Sequence, residues 1–195
     1  TDKALEQALA CFRTNDHDLA QEVIANDKEI NLLQKKVEEA CILTIAREQP
    51  VAGDLRIITA DMCISNDLER MADHAAGVAN TVTQMNRPVL PDYAQAIEGM
   101  GLRCREMLAQ IHRAYKNLDA EMARDVAAME TEIDREEYQL VQALLEHVKT
   151  HPGDMEISTY MMWAAHGLER FADRITNIAE RIVYMRTAEV VDLNY

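Results

Sequence analysis

The sequence predicts an all-α protein built as two tandem antiparallel three-helix bundles. Three observations carry that prediction. Apolar residues recur at threes and fours over long segments, which is the period of a helix face and not of a strand. Aromatic residues make up only 5% of the 195 positions, while Met and Ala are plentiful, a composition that suits packed helices better than strands. One phrase is also written twice: "LERMAD" at 68–73 and "LERFAD" at 168–173.

Pro and Gly mark the element boundaries, because Pro lacks an N–H and clashes inside a helix. A first helix is expected over about 2–13. A second spans 17–48, where Leu19, Val23, Ile30, Leu33, Val37, Cys41 and Ile45 form one apolar stripe. Pro50 and Gly53 end it. A third helix covers 54–86, with Asp54 standing where an N-cap should be. Pro88 and Pro91 bracket the middle of the chain, and a fourth helix follows over 92–117. A fifth covers 119–149. After Pro152 and Gly153, a sixth covers 154–188, with Asp154 at its N-cap.

The repeat is longer than the phrase. Shifted by 100, residues 53–85 match 153–185 at Gly53, Asp54, Ile57, Thr59, Met62, Leu68, Glu69, Arg70, Ala72, Asp73, Ala79 and Met85. The preceding helix repeats at a shift of 103, laying "AQEVIANDKEIN" (20–31) over "ARDVAAMETEID" (123–134). The fourth helix then corresponds to the first, which is short by about three turns on that register. The expectation is a native N-terminus that is longer, or disordered and left out of this sequence. The chain divides into a first bundle, 1–88, and a second, 89–195. Short connections make neighbouring helices antiparallel.

A net charge of −14 is a poor match to nucleic acid or anionic membrane surfaces, and suits cations or basic partners. There is no basic stripe with interleaved aromatics, no P-loop and no dinucleotide fingerprint. No apolar run is long enough to span a membrane. Cys11, Cys41, Cys63 and Cys104 form no C-x-x-C pair, so they are expected as reduced, mostly buried thiols of a cytosolic protein. The Met-rich stretch Tyr160–Met162 reads as core, and Trp163 as an anchor between helices.

The candidate site lies in the repeated phrase. On the third helix Ile58, Met62, Ser65, Glu69, Asp73 and Ala76 form one stripe, so two carboxylates interrupt an otherwise apolar or small face. The second helix carries Asp27 and Asn31 on such a stripe, the fifth Glu130 and Asp134, and the sixth Glu169 and Asp173. Inward carboxylates are unfavourable unless charge-paired or bound to a cation. Oxygen donors without sulfur suit Mg²⁺, Mn²⁺ or iron. Taken singly, each acidic pair is an ordinary solvated face, and Arg70 or Arg170 can pair with it locally. Taken as a repeated set on facing helices, the acids read as two cation sites, the first weaker because Asn31 replaces an acid. No histidine follows a Glu by three residues, so the E-x-x-H pairs of di-iron bundles are missing. His74 and His166 flank the acidic stripes.

The stretches "DKEIN" (27–31), "QPVAGDLRI" (49–57), "NDLERMADHAAGVAN" (66–80), "METEID" (129–134) and "GLERFADRITNIAERIVY" (167–184) resemble the PhoU family, in order and in both halves. The resemblance implies two three-helix bundles in a cytoplasmic protein that self-associates, often as a homodimer. It implies multinuclear metal clusters, iron in some members, with manganese, zinc or magnesium as alternatives. By motif position the ligands are Asp27, Asn31, Glu69 and Asp73 in the first bundle, and Glu130, Asp134, Glu169 and Asp173 in the second. The implied role is regulatory: linking the phosphate ABC transporter ATPase to the phosphate sensor histidine kinase, repressing the phosphate-starvation response and restraining uptake. It implies no catalysis. The other class left open is a metal-storage or redox carboxylate-cluster protein.

Overall fold

A computed structural model describes residues 1–194. They form seven α-helices and one 3₁₀ turn, with no strand among the described residues: α1 Asp2–Thr14, α2 His17–Glu48, α3 Ala52–Gln84, α4 Pro91–Asn117, α5 Ala120–Ala128, α6 Glu130–Thr150, a 3₁₀ turn at Pro152–Asp154, and α7 Met155–Thr187.

The boundaries follow from local chemistry. Asp16 caps α2 by accepting from the Leu19 amide at 3.0 Å, and Asp119 caps α5 by accepting from the Glu121 and Met122 amides. Asn15, Gln49, Leu118 and Ala188 end their helices in the left-handed region, their amides satisfying the last turn. Pro91 opens α4 at a position where no amide is needed.

α1, α2 and α3 form one antiparallel bundle, and α4, α5/α6 and α7 the other. α3 and α7 pack on each other more extensively than any other pair, so one helix from each half builds a common seam. The core is dense in Met, Ala and Ile: Met71, Ala75 and Val78 from α3 meet Leu168, Phe171, Ala172 and Ile175 from α7, all nearly or fully buried. The linker between the halves is tied to the start of α7, where Arg87 Nη2 donates to Asp154 Oδ1 at 2.6 Å. α1 covers the early part of α2, while Leu32, Leu33 and Val37 farther along are exposed. A groove of about 470 Å³ runs there between α2, α3 and α4.

Several expectations are corrected. The helix expected over 119–149 is interrupted at Met129. Hydrogen bonds of the three-residue type, Met129 to Val126 O and Glu132 to Met129 O, tighten the backbone there, while Met129 keeps right-handed dihedrals. Asp54 is not a cap: α3 starts at Ala52, behind Val51, so Asp54 lies within its first turn. Asp154 does stand at the N-cap of α7, but its side chain serves Arg87 and His147, not the helix amides. Trp163 does not anchor the helices. It is 61% exposed and packs edge-on against Tyr160 at the surface. Cys11 and Cys104 are buried, but Cys41 is only partly covered and Cys63 is exposed.

Candidate metal centres

The buried stripe of α3 is not the one carrying the acids. Ile64, Asp67, Met71, Ala75, Val78 and Val82 face the core, whereas Ile58, Met62, Ser65, Glu69, Asp73 and Ala76 lie one position around the helix and are half-buried. The acids therefore sit at the edge of the bundle, partly dehydrated but open to exchange.

In the first half, α2 places Asp27 and Asn31 one turn apart. The Asn31 amide donates to Asp27 Oδ2 at 3.0 Å, supplying part of the compensation a cation would give. α3 brings Glu69 and Asp73 opposite. Burial and then Asp73 push the Asp27 carboxyl above its usual range. Burial and then Asp73 do the same to Glu69, against the opposing pull of Arg70. Arg70 lies 3.7 Å from Glu69 and 3.5 Å from Asp73. No three acidic donors gather within ligand spacing here.

The second half is more concentrated. Glu130 and Asp134 on α6 and Glu169 on α7 each offer an oxygen within 4.8 Å of the others. Glu130 is buried, and burial together with the facing carboxylates Asp134, Asp173 and Glu169 pushes it up to about 7. Glu169 is raised by burial, against the pull of His166. His166 Nδ1 stands 3.2 Å from Glu169 Oε2 without hydrogen-bonding alignment, and 3.8 Å from Glu137. Asp173 is not part of the tight cluster. It faces Arg174 Nη2 at 2.9 Å and Arg170 Nη1 at 3.5 Å.

These residues fit a hard cation. Asp27 Oδ1, Asn31 Oδ1, Asp134 Oδ1 and Glu169 Oε2 are buried acceptors without a hydrogen-bond partner. Orphaned acceptors beside like charges are a costly arrangement that a bound cation relieves. Octahedral ligands around Mg²⁺ or Mn²⁺ stand about 3 to about 4.2 Å apart, within the spacing of the Glu130–Asp134–Glu169 cluster. Sulfur is absent, and imidazole contributes at most His166.

Sequence reasoning missed Glu137, Asp67, Arg174 and Asn177. Glu137 follows Asp134 by three residues and was findable on the same stripe. The other three stand where the 100-residue repeat breaks: Asp67 against Gly167, His74 against Arg174, Gly77 against Asn177. Those departures were the available signal.

A family model described as the PhoU domain matches residues 1–82 and 97–182. A relative from Streptococcus pneumoniae serotype 4, named phosphate-specific transport system accessory protein PhoU homolog, is 35% identical over 96% of this chain and 87% of its own length. A crystal structure of the phosphate transport system regulatory protein PhoU from Streptococcus pneumoniae superposes with a TM-score of 0.90 at 32% identity, over 98% of this chain and 90% of that one. One of PhoU from Pseudomonas aeruginosa gives 0.92 at 29% identity, over 96% and 90%.

Proposed function

The chain belongs to the PhoU family, and from that premise we propose that it is an accessory regulator of phosphate transport. We infer that it works in the cytoplasm as a non-enzymatic adaptor, a homodimer that connects the transporter ATPase to the phosphate sensor histidine kinase and represses the starvation response. The observation that carries the reading is that both repeats match the family along nearly the whole chain, while relatives with such names cover the same span. No helix among the described residues is long and apolar enough to cross a membrane, in keeping with an adaptor that reaches the transporter through its exposed faces.

The proposal includes metal at both acidic sites. Glu130, Asp134, Glu169 and Asp173 would hold it in the second half, and Asp27, Asn31, Glu69 and Asp73 in the first. When bound, it supplies positive charge that neutralises facing carboxylates and joins α6 to α7 and α2 to α3. Iron fits the oxygen-rich donor set, as do manganese and magnesium, with zinc less suited to carboxylates alone. His166 stands between Glu169 and Glu137, 3.2 Å and 3.8 Å from their oxygens, where its charge favours the ionised form of Glu169.

The experiment is a phosphate-responsive reporter in cells lacking this protein. Restoring the chain should restore repression in high phosphate. Charge reversals on exposed helix faces that spare the acids should abolish both repression and co-purification with the ATPase and kinase. A reporter indifferent to the chain would defeat the adaptor reading.

A further inference from the structure

Asp67 is an acid inside the seam between the halves. It is 7% exposed, on the core stripe of α3, and it faces α7. Three groups of α7 answer it. Asn177 Nδ2 donates to Asp67 Oδ1 at 3.4 Å, Arg174 Nη1 lies 3.7 Å from the same oxygen, and the charge of Arg181 acts from the next turn. The other arm of the Arg174 fork, Nη2, donates to Asp173 at 2.9 Å. One guanidinium is therefore split between a buried acid of the first half and a carboxylate of the second acidic site. Neither bond set is complete, since Arg174 Nε is buried without a partner.

This arrangement exists once. At the equivalent place in the first site, Arg174 becomes His74, Asn177 becomes Gly77 and Asp67 becomes Gly167. Gly167 is at a close crossing, where a Cβ would lie 3.1 Å from Val78 Cγ2, so that position serves packing. The repeat is thus broken in three places that together build one network.

We propose that Arg174 couples loading of the second acidic site to the α3–α7 seam. The inference rests on the metal reading given above. A divalent cation held by Glu130, Asp134 and Glu169, with Asp173 beside them, would repel the guanidinium and compete with it for Asp173. Arg174 then leaves Asp173 and completes its ion pair with Asp67. Metal at the edge of the second half thereby tightens a contact between the halves. Coupling of this kind is reciprocal. Whatever holds Arg174 on Asp67 favours metal, and loss of Asp67 returns the guanidinium to Asp173, where it competes with metal. Arg174 is a positioning residue here, not a ligand.

The test is Mn²⁺ titration, read by the spectrum of free Mn²⁺, on the full chain carrying Glu69→Gln and Asp73→Asn so that the second site alone is read. Asp67→Asn should weaken binding roughly fivefold or more, within the usual range of coupling between sites. Arg174→Gln should strengthen it, and adding Asp67→Asn to Arg174→Gln should change nothing further. Amide exchange in α3 around Asp67 should slow on Mn²⁺ addition in the chain with Arg174, and not in Arg174→Gln. A purely structural role would not make that protection depend on Mn²⁺. Equal affinity with and without Asp67, or the same loss when Arg174 is absent, overturns the coupling. If the unmodified chain takes up no Mn²⁺, the metal reading itself fails and the coupling falls with it. If Asp67→Asn does not fold, the Arg174→Gln affinity and the exchange comparison decide alone.

Discussion

Glu130 concentrates the electrostatic conflict of the second site. Burial and the facing carboxylates act in one direction, pushing it up to about 7, whereas an unfolded glutamate titrates near 4.3. With the folded value above the unfolded one, the native state binds the extra proton, so stability of the metal-free protein falls as pH rises between the two values and levels off above about 7. The loss should be on the order of 2 kcal/mol by urea unfolding at pH 5 against pH 8. Glu130→Gln should flatten that slope and make the metal-free chain the more stable one at pH 8. An unchanged slope would remove Glu130 as its source. The same residues show what sequence discloses about a site. The phrase written twice located Glu69, Asp73, Glu169 and Asp173, because an i,i+4 pair always shares a helix face. It did not disclose that Asp173 faces Arg174 of its own helix while Glu169 joins Glu130 and Asp134, since that division depends on the groups that α3 and α6 bring against α7. Nor did it find Asp67, because a lone acid in a helical pattern reads as surface until the partner helix is known.

At the scale of elements, the helix ends marked by proline and glycine were the most legible feature, and the side-chain caps and interruptions the least. Proline and glycine placed the ends of α2, α4 and α7 to within a few residues. The break at Met129 had no such marker, because it arises from a local shift to shorter hydrogen bonds within right-handed backbone. Trp163 was misplaced for a related reason: its size suggests an anchor, but its position on α7 faces outward. The α2–α3 turn is built with two left-handed residues that are not glycine, Gln49 and Ala52, each at φ 49°. A side chain in that region costs about 1 kcal/mol or more relative to glycine. Gln49 is exposed and makes no side-chain bond that would be lost. Gln49→Gly should therefore stabilise the protein by about 0.5–1 kcal/mol, a rise in Tm of about 1–4 °C for a chain of this size. Gly101 gives the opposite test, since a Cβ there would collide with the Leu9 side chain between α1 and α4. Gly101→Ala should cost about 1–3 kcal/mol in chemical denaturation, less if Leu9 can turn aside.

At the scale of the whole molecule, the tandem arrangement was legible because a self-match at a shift of 100 residues, running over 53–85, means a repeated unit. How the halves dock was not, because α3 and α7 bury alternate stripes that no single-helix pattern ranks. That seam, rich in Ala, Met and Ile, makes one hydrophobic core out of two bundles. The acids of the repeated motif lie outside it, so the proposed cations would add to the stability of a core that forms without them. Metal at a hundredfold excess over its dissociation constant stabilises a folded protein by about 2.7 kcal/mol per site, which corresponds here to about 5–10 °C in Tm. Chelator should reverse that gain, and the gain should shrink by half in Glu169→Gln/Asp173→Asn if the two sites contribute alike. The central claim, that the phrase is repeated because it builds two cation sites, is tested most directly by elemental mass spectrometry. The protein is purified without chelator or affinity metal, beside Glu69→Gln/Asp73→Asn and Glu169→Gln/Asp173→Asn. Iron or manganese bound in the unmodified chain, and lost one half at a time in the two variants, is the predicted result. A chain that carries no metal, or carries the same amount in all three samples, would contradict it.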